Sequence, residues 1–458
     1  MEKATVCFNS QTPLVQFLPR PEGSHEPPWG EDANLADLKE GVDFRFSPGG
    51  VTRMVYPLVR TLLANGALAE AHWVSLNTVG PRVVRADGLT LHNVALDPQR
   101  MGGYGKTKEA IWSTAHGLEA SGSAEDLFWS EEFSEYAFYN RTTSERIRKL
   151  DSEVDFDLFY IHDFQQMPVG QMLDSLKPKV FRWHIPLDAA HIPKNWRGLL
   201  LNYLNSYDIV VVSCDRYQEG LRALGYRGKV RRLYPYVDPH EYRRPGKRVA
   251  AATCGGWGVR PDDVVVLVVA RMDPSKAHDR VLRAVAEIAP RYPRLRLVLV
   301  GNGSFSGARG GPGPSKSALW KAHLEAESHR LGIDERVIFA GHVPQDALDA
   351  FYERSRFTVL PSVNEGFGLV VVESWLHHRP TLVTDRAGIA ELIRDGENGI
   401  LFDPDDIPSL ARKMGELIDD PGERSRRLVT NAARTARTCS INTAARAETK
   451  LMEQAMEA

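Results

Sequence analysis

Short apolar runs alternate with longer segments whose apolar residues recur every three or four positions, along almost the whole chain. That alternation is the mark of parallel strands joined by crossover helices. In the first half the strand candidates fall at 43–46, 72–76, 158–161, 179–182 and 209–213. In the second half they fall at 264–270, 295–300, 337–340, 357–360 and 381–384, each followed by a loop and a helical pattern. A helix beginning near Val51 carries Met54, Val55, Leu58, Val59 and Leu62 on one stripe. Residues 10–40 hold many Pro, Gly and acidic residues and read as an irregular extension. The segment 226–248, rich in Pro, Tyr, Arg and Lys, separates the two series and reads as a linker. Its basic residues Arg231, Arg232, Arg243, Arg244, Lys247 and Arg248 form a solvated surface or, on the other reading, a lip of charge over an anion. Residues 303–317, with five glycines and two prolines, read as a mobile loop, and residues 420–458 as helical.

The pattern predicts two doubly wound α/β domains. The first spans 1–235, with 1–40 as its extension, and the second spans 236–425. A C-terminal helix, 426–458, is expected to pack back on the first domain. The length of 458 residues suits two domains, and 43% hydrophobic content is ample for two cores. Lys+Arg 57 against Asp+Glu 59 is too balanced for a protein that holds nucleic acid by bulk charge. Cys7, Cys214, Cys254 and Cys439 are scattered with no C-x-x-C pair, which fits a reducing cytoplasm and no zinc site. Neither a signal peptide nor an apolar run of membrane-spanning length is read in the chain.

Candidate chemistry centres on Glu365-Gly366-Phe367-Gly368-Leu369-Val370-Val371-Val372-Glu373, where two carboxylates sit eight residues apart around a Gly-x-Gly turn. The apolar run just upstream makes this a strand-to-helix handover, where ligands bind in open α/β sheets. The glycines let the backbone approach a ligand, and the amides at the helix start suit an anion. A second feature, Ala270-Arg271-Met272-Asp273-Pro274-Ser275-Lys276, follows a very apolar strand, so Arg271 and Lys276 emerge on the same sheet edge. Arg offers a planar fork and Lys a compact charge, and together they suit the two phosphates of a leaving diphosphate. A third, Ser47-Pro48-Gly49-Gly50-Val51-Thr52-Arg53, puts Gly49 and Gly50 at a helix start in the first domain. Gly301-Asn302-Gly303 opens like a dinucleotide fingerprint but has Ser306 where the third glycine belongs, so a nicotinamide site is not expected. Asp403-Pro404-Asp405-Asp406 reads as a turn rather than a metal site.

This constellation resembles the retaining glycosyltransferases of the GT-B fold, glycosyltransferase family 4, which includes sucrose synthases, bacterial mannosyltransferases and trehalose synthases. The acidic signature of that family matches at Glu365 and Glu373, and its Arg/Lys pair at Arg271 and Lys276. Pro48-Gly49-Gly50-Val51, Ile161-His162-Asp163-Phe164-Gln165 and Phe181-Arg182-Trp183-His184-Ile185 further resemble trehalose-forming transferases and retaining trehalose phosphorylases. The resemblance implies two Rossmann-like domains facing across a cleft. It implies that Glu373 binds the donor ribose, while Glu365 and the amides of Gly366, Phe367, Gly368 and Leu369 hold the sugar and diphosphate. Gly49 and Gly50 would join the donor side, and His342 and Val343 would edge the base. His162 would sit beside the donor sugar, with Asp163, Arg182 and His184 toward the acceptor.

The activity so implied is transfer of a hexose, glucose first, from a nucleoside-diphosphate sugar to a small polar acceptor such as a sugar or cyclitol. The resemblance offers no carboxylate nucleophile, which favours front-face substitution with retention over double displacement. No metal or other cofactor is expected, because the two cations meet the diphosphate's charge. A homodimer is compatible with this family. Two other readings stay open: a phosphorylase on the same scaffold, with inorganic phosphate in place of the diphosphate, and a catalytically silent scaffold.

Overall fold

A computed structural model describes residues 3–18, 30–47, 50–77, 79–118, 124–301, 316–420 and 422–457. Pro48 and Gly49, Asn302 and Gly303, and most of the glycine-rich segment after them therefore lie outside the described residues. The chain divides into two compact units, Met1–Tyr234 with Ile441–Ala458, and Pro235–Ser440.

The first unit is built on a nine-stranded sheet. Its strands lie side by side in the order Lys229–Arg232, Ile209–Val212, Lys179–Arg182, Leu158–His162, Ala4–Asn9, Leu68–Leu76, Leu89–Val94, Val83–Ala86 and Asp32–Asn34. Every neighbouring pair is parallel except Val83–Ala86 against Leu89–Val94. The chain runs outward from Ala4–Asn9 to one side, then returns to its other side at Leu158–His162. That reversal makes the gap between these two strands the topological switch point. The strands are buried on both faces, as parallel sheets require, and Val6, Cys7, Phe159, Ile161 and Val210 are almost wholly covered. Helices Pro98–Ala115 and Glu131–Val154 cover one face. They bring Tyr104, Tyr136 and Tyr139 into the core, ring against ring at 4.9 to 6.2 Å.

The second unit has six parallel strands in the order Val337–Gly341, Leu295–Val300, Val264–Val269, Ser355–Leu360, Thr381–Thr384 and Ile400–Phe402. Counted along the chain this is 3-2-1-4-5-6, the doubly wound order of dinucleotide-binding folds. Its switch point lies between Val264–Val269 and Ser355–Leu360, which pair directly.

Four expectations are corrected. Ala4–Asn9 is no part of an irregular extension but the central strand of the first sheet, hydrogen-bonded on both sides. The candidate at 43–46 does not join that sheet: Phe44–Phe46 pairs antiparallel with Val15–Phe17 in a separate ribbon. The 226–248 segment is not linker throughout. Lys229–Arg232 is an edge strand with Val230 turned inward and its basic residues outward, and Lys247–Gly255 is already a helix of the second unit. Finally, residues 426–440 stay with the second unit, because Leu428, Ala432 and Ala436 on helix Glu423–Ala436 are buried there, and the return to the first unit begins at Ile441. Helix Ile441–Met456 then places the buried Glu448 against the first sheet.

Candidate active site

At the switch point of the second unit two loops leave adjacent strand ends on the same edge. After Val264–Val269 the chain passes through Arg271 into the short turn Pro274–Lys276, then into helix His278–Ile288. Asp273 fixes this turn by accepting from the Ser275 amide at 2.9 Å and its hydroxyl at 2.7 Å. Burial pushes Asp273 up, but the Ser275 bonds, Lys316 and Arg271 outweigh it and hold the carboxyl below its ordinary value. After Ser355–Leu360 the second loop carries Ser362, Glu365 and the glycine turn into helix Leu369–Leu376. The loops are tied together by Val363 N donating to Ser275 O at 3.0 Å.

Lys276 and Glu365, 89 residues apart in sequence, meet here: Lys276 Nζ lies 2.5 Å from Glu365 Oε2, which also accepts from Ser362 Oγ at 2.9 Å. Their side chains are only 10% and 17% exposed, so the pair is largely screened from bulk water. His278, two residues beyond Lys276, is buried, and burial together with the Lys276 charge pushes its imidazole down to about 4.

The glycines of this edge have separate reasons. Gly368 caps the helix start at φ 105°, and a Cβ there would meet Leu360 Cδ2 at 2.7 Å, so the position needs glycine twice over. Around it Gly388 N donates to Glu365 O and Ile389 N to Phe367 O, which pins the Glu365–Phe367 backbone to the neighbouring loop. No side chain caps this helix among the described residues. Gly301 has φ 142°, and a Cβ would fall 1.9 Å from the Ala270 carbonyl oxygen, one residue before Arg271. Gly301 thus serves close backbone approach rather than a dinucleotide turn. Its amide donates to Gly341 O at 2.8 Å, so the third loop, with exposed His342 and buried Val343, borders the same edge.

Glu373 lies on helix Leu369–Leu376 and accepts from two phenols, Tyr352 at 2.9 Å and Tyr242 at 3.2 Å, one to each carboxylate oxygen. Tyr352 is fully buried, and burial and then the Glu373 charge raise its hydroxyl well above its usual value, so it stays a donor. Neither tyrosine was singled out in the sequence. Among the described residues no cluster of three or more His, Cys, Asp or Glu could hold a metal ion, and no helix is long and apolar enough to cross a membrane. Asp403 and Asp405 instead pair with Arg386, and Asp406 caps helix Ile407–Asp419 through Ser409 N at 3.0 Å.

In the first unit His162 ends strand Leu158–His162, also at a switch point. Its Nδ1 lies 3.0 Å from His184 Nε2, its ring stacks on Tyr160 at 4.6 Å, and its buried Nε2 has no protein partner among the described residues. Burial, with Arg182 second, pushes His162 well below its usual value, so the ring is neutral near pH 7. Asp163 adopts φ 71°, a conformation rare for a non-glycine residue and frequent at functional sites. Its Oδ1 accepts from Phe164 N at 3.0 Å, and burial lifts its carboxyl to about 6. Arg182 does not line an open surface. It is 1% exposed, salt-bridged to Glu448 and bonded to Leu233 O at 3.1 Å, while Glu448 also accepts from Tyr160 at 2.9 Å. Its guanidinium is the counterion of a buried carboxylate on the C-terminal helix, which removes it from the acceptor set. Gly50 begins helix Gly50–Ala64 with open space where a Cβ would stand.

Residues 256–435 match the family model described as glycosyl transferases group 1. Over that stretch the chain is similar to the group 1 glycosyl transferases. Residues 116–219, in the first unit, match the model for the trehalose synthase N-terminal domain. The chain is 34% identical over 233 residues to the D-inositol 3-phosphate glycosyltransferase of Streptomyces avermitilis, a match covering 51% of this chain and 48% of that protein. It therefore spans about half the length of the curated relatives it matches. Among solved structures, a trehalose-6-phosphate synthase, OtsA, superposes with a TM-score of 0.74 at 15% identity, covering 98% of this chain and 99% of that one. An Anabaena protein, HepE, in complex with UDP and glucose gives 0.68 at 16% identity, with 98% and 99% covered. At such identities the likeness concerns the fold, which is GT-B with two Rossmann-like domains, as the family resemblance implied.

Proposed function

We propose that the protein is a retaining glycosyltransferase that moves a hexose, glucose first, from a nucleoside-diphosphate sugar to a small polar acceptor such as a sugar or cyclitol. The observation that carries this reading is the Lys276–Glu365 pair at the second unit's switch point, with Arg271 on the same loop. Lys276 and Arg271 meet the diphosphate, and the amides at the start of helix Leu369–Leu376 add partial positive charge. Glu373, oriented by Tyr242 and Tyr352, takes the ribose hydroxyls. Glu365 offers its carboxylate to sugar hydroxyls while Lys276 offsets its charge beside the phosphates. His342 and Val343 edge the base, and His162, Asp163 and His184 serve the sugar and acceptor from the first unit.

A carboxylate nucleophile is not needed. The acceptor oxygen attacks the anomeric carbon on the face that the diphosphate leaves. The carbon–oxygen bond to phosphate breaks, and a phosphate oxygen takes the acceptor's proton. The protein positions the reactants and stabilises the growing charge on the diphosphate. The relatives support this reading through their names: an inositol phosphate glycosyltransferase in sequence, and proteins that bind UDP and glucose or make trehalose 6-phosphate in fold.

The test is a thermal-shift panel of UDP, ADP and GDP with their glucose and mannose conjugates, with inorganic phosphate and glucose 1-phosphate alongside. Ligands that bind the folded state raise the melting temperature by mass action. A shift with one nucleotide and its sugar is the expected result. Shifts with phosphate or glucose 1-phosphate alone, lost in Lys276→Ala, would overturn transfer in favour of phosphorolysis.

A further inference from the structure

The second unit holds a groove of 990 Å³ at the opposite, amino edge of its sheet. Val264 and Ser355 open two of the strands that form its floor, and Pro380 immediately precedes a third. Along a six-residue strand that edge is about 20 Å from the loops bearing Lys276 and Glu365. Six cationic side chains line the groove: Lys247, Arg248, Arg354, Arg356, Arg379 and Arg426.

The acids among them are already matched. Glu353 pairs with Arg379 at 3.0 Å and Arg244 at 3.4 Å, and Asp263 with Arg296 at 3.6 Å. Lys247, Arg248, Arg354, Arg356 and Arg426 make no salt bridge among the described residues. Arg354 is held by the carbonyls of Arg260, Pro261 and Asp263, and Arg356 by those of Leu417, Ile418 and Asp420. Carbonyls fix where a guanidinium sits but leave its charge uncancelled. The positive field reaches His378 as well, whose ring is pushed down by burial and then by Arg244 and Arg379. Burial pushes Arg379 down as well, with Arg244 and Arg354 adding to it against the pull of Glu353. Two helices, Lys247–Gly255 and Glu423–Ala436, also bring residues of their first turns to the groove.

We infer that this groove binds a small phosphorylated metabolite, separately from the donor site. Its volume is that of a small-molecule site, and Ala251, Val264 and Val429 give the cationic rim an apolar wall of small side chains. A phosphate is met by the guanidiniums and the attached carbon skeleton by that wall.

The experiment is isothermal titration of the full chain with glucose 6-phosphate and with inorganic phosphate, using glucose as the uncharged control. Saturable binding is expected for glucose 6-phosphate and not for glucose. It persists in Lys276→Ala, which strips the donor site of a cation. It weakens about tenfold or more in Lys247→Glu/Arg248→Glu/Arg426→Glu, three exposed positions whose reversal replaces attraction with repulsion. Arg426→Glu alone serves if the triple variant melts early. Loss in Lys276→Ala with retention in the groove variants would overturn the inference by assigning the phosphate to the donor site. So would absence of saturable binding to the wild type, or tighter binding of a hexaglutamate peptide, which would make the groove a protein-docking surface. None of these outcomes depends on whether a nucleotide sugar is the donor.

Discussion

Replacing Lys276 by Met separates two roles of one ammonium group. In the resting protein it is the counterion of Glu365, whose side chain is 17% exposed and otherwise receives the Ser362 hydroxyl. Removing it strands a mostly buried carboxylate. A fully buried pair would cost about 3–5 kcal/mol to break, and the remaining exposure and the Ser362 bond reduce this to about 2–3 kcal/mol. For a unit of this size that corresponds to a fall in melting temperature of about 5–10 °C. Lys276→Met/Glu365→Gln removes both charges, and its stability should return to within about 1 kcal/mol of wild type. Transfer should behave differently. If Lys276 meets charge on the leaving diphosphate, its loss lowers kcat by about 10²–10³, and the double variant, still lacking the cation, recovers nothing. Calorimetry of the second unit's transition gives the first quantity, and single-turnover transfer with the donor found in the nucleotide panel gives the second. If the double variant regains transfer along with stability, Lys276 acts only by holding Glu365 and the leaving-group role is wrong. An unchanged melting temperature in the single variant would show that the pair is not formed in solution.

Tyr352→Phe removes one of two phenols that orient Glu373 and should weaken nucleotide binding by about tenfold; in Glu373→Gln the same substitution should matter far less, and additive effects in titration calorimetry would remove the positioning role. Gly301→Ala places a methyl group 1.9 Å from the Ala270 carbonyl at a φ of 142°, so it should destabilise the second unit by about 3 kcal/mol or more, with unchanged melting as the contrary result. His92 contacts His72 at 2.8 Å and Arg146 at 3.2 Å, and burial, then His72 and Arg146, lower it to about 3. The unfolded chain takes up this proton below about pH 6.5 while the folded chain refuses it, so stability falls with pH by about 2 kcal/mol at pH 5. In His92→Gln the drop in melting temperature between pH 7 and pH 5 should shrink accordingly, and an equal drop would refute the assignment.

The alternation of apolar runs was enough to find strands that are buried and flanked by helices. Lys179–Arg182, Leu295–Val300 and Thr381–Thr384 stand where the pattern put them. It failed where a strand lacks that frame. Lys229–Arg232 buries one side chain in four because it is an edge, whereas Ala4–Asn9, with Ala4, Val6, Cys7 and Phe8 buried, is an apolar run that was passed over beside the 10–40 segment. The hairpin Val83–Ala86 to Leu89–Val94 carried a legible signal that was passed over. Asp87-Gly88 is a two-residue turn sequence, and both residues adopt positive φ, 49° and 80°.

For the site, residue type and spacing located the loops but not their partnerships. Glu365 and Glu373 were recognisable eight residues apart, yet what each touches comes from elsewhere in the chain. Lys276 reaches Glu365 only because the 3-2-1-4-5-6 order makes the first and fourth strands neighbours, and Tyr242 and Tyr352 reach Glu373 from two further segments. The same topology explains why Arg182 was misassigned. Its strand-end position beside His162 is that of a site residue, since the two are cross-strand partners. What cancels its charge is Glu448, 266 residues later, on a helix that the chain delivers only after completing the second unit. A strand-end cation is therefore evidence for a binding site only once the carboxylates of every later element have been placed. By that criterion Lys276, in the loop after its strand, and Arg182, at the end of its own, part company: the carboxylate of Lys276 belongs to the motif that borders the switch-point crevice, and that of Arg182 to a helix that seals the sheet.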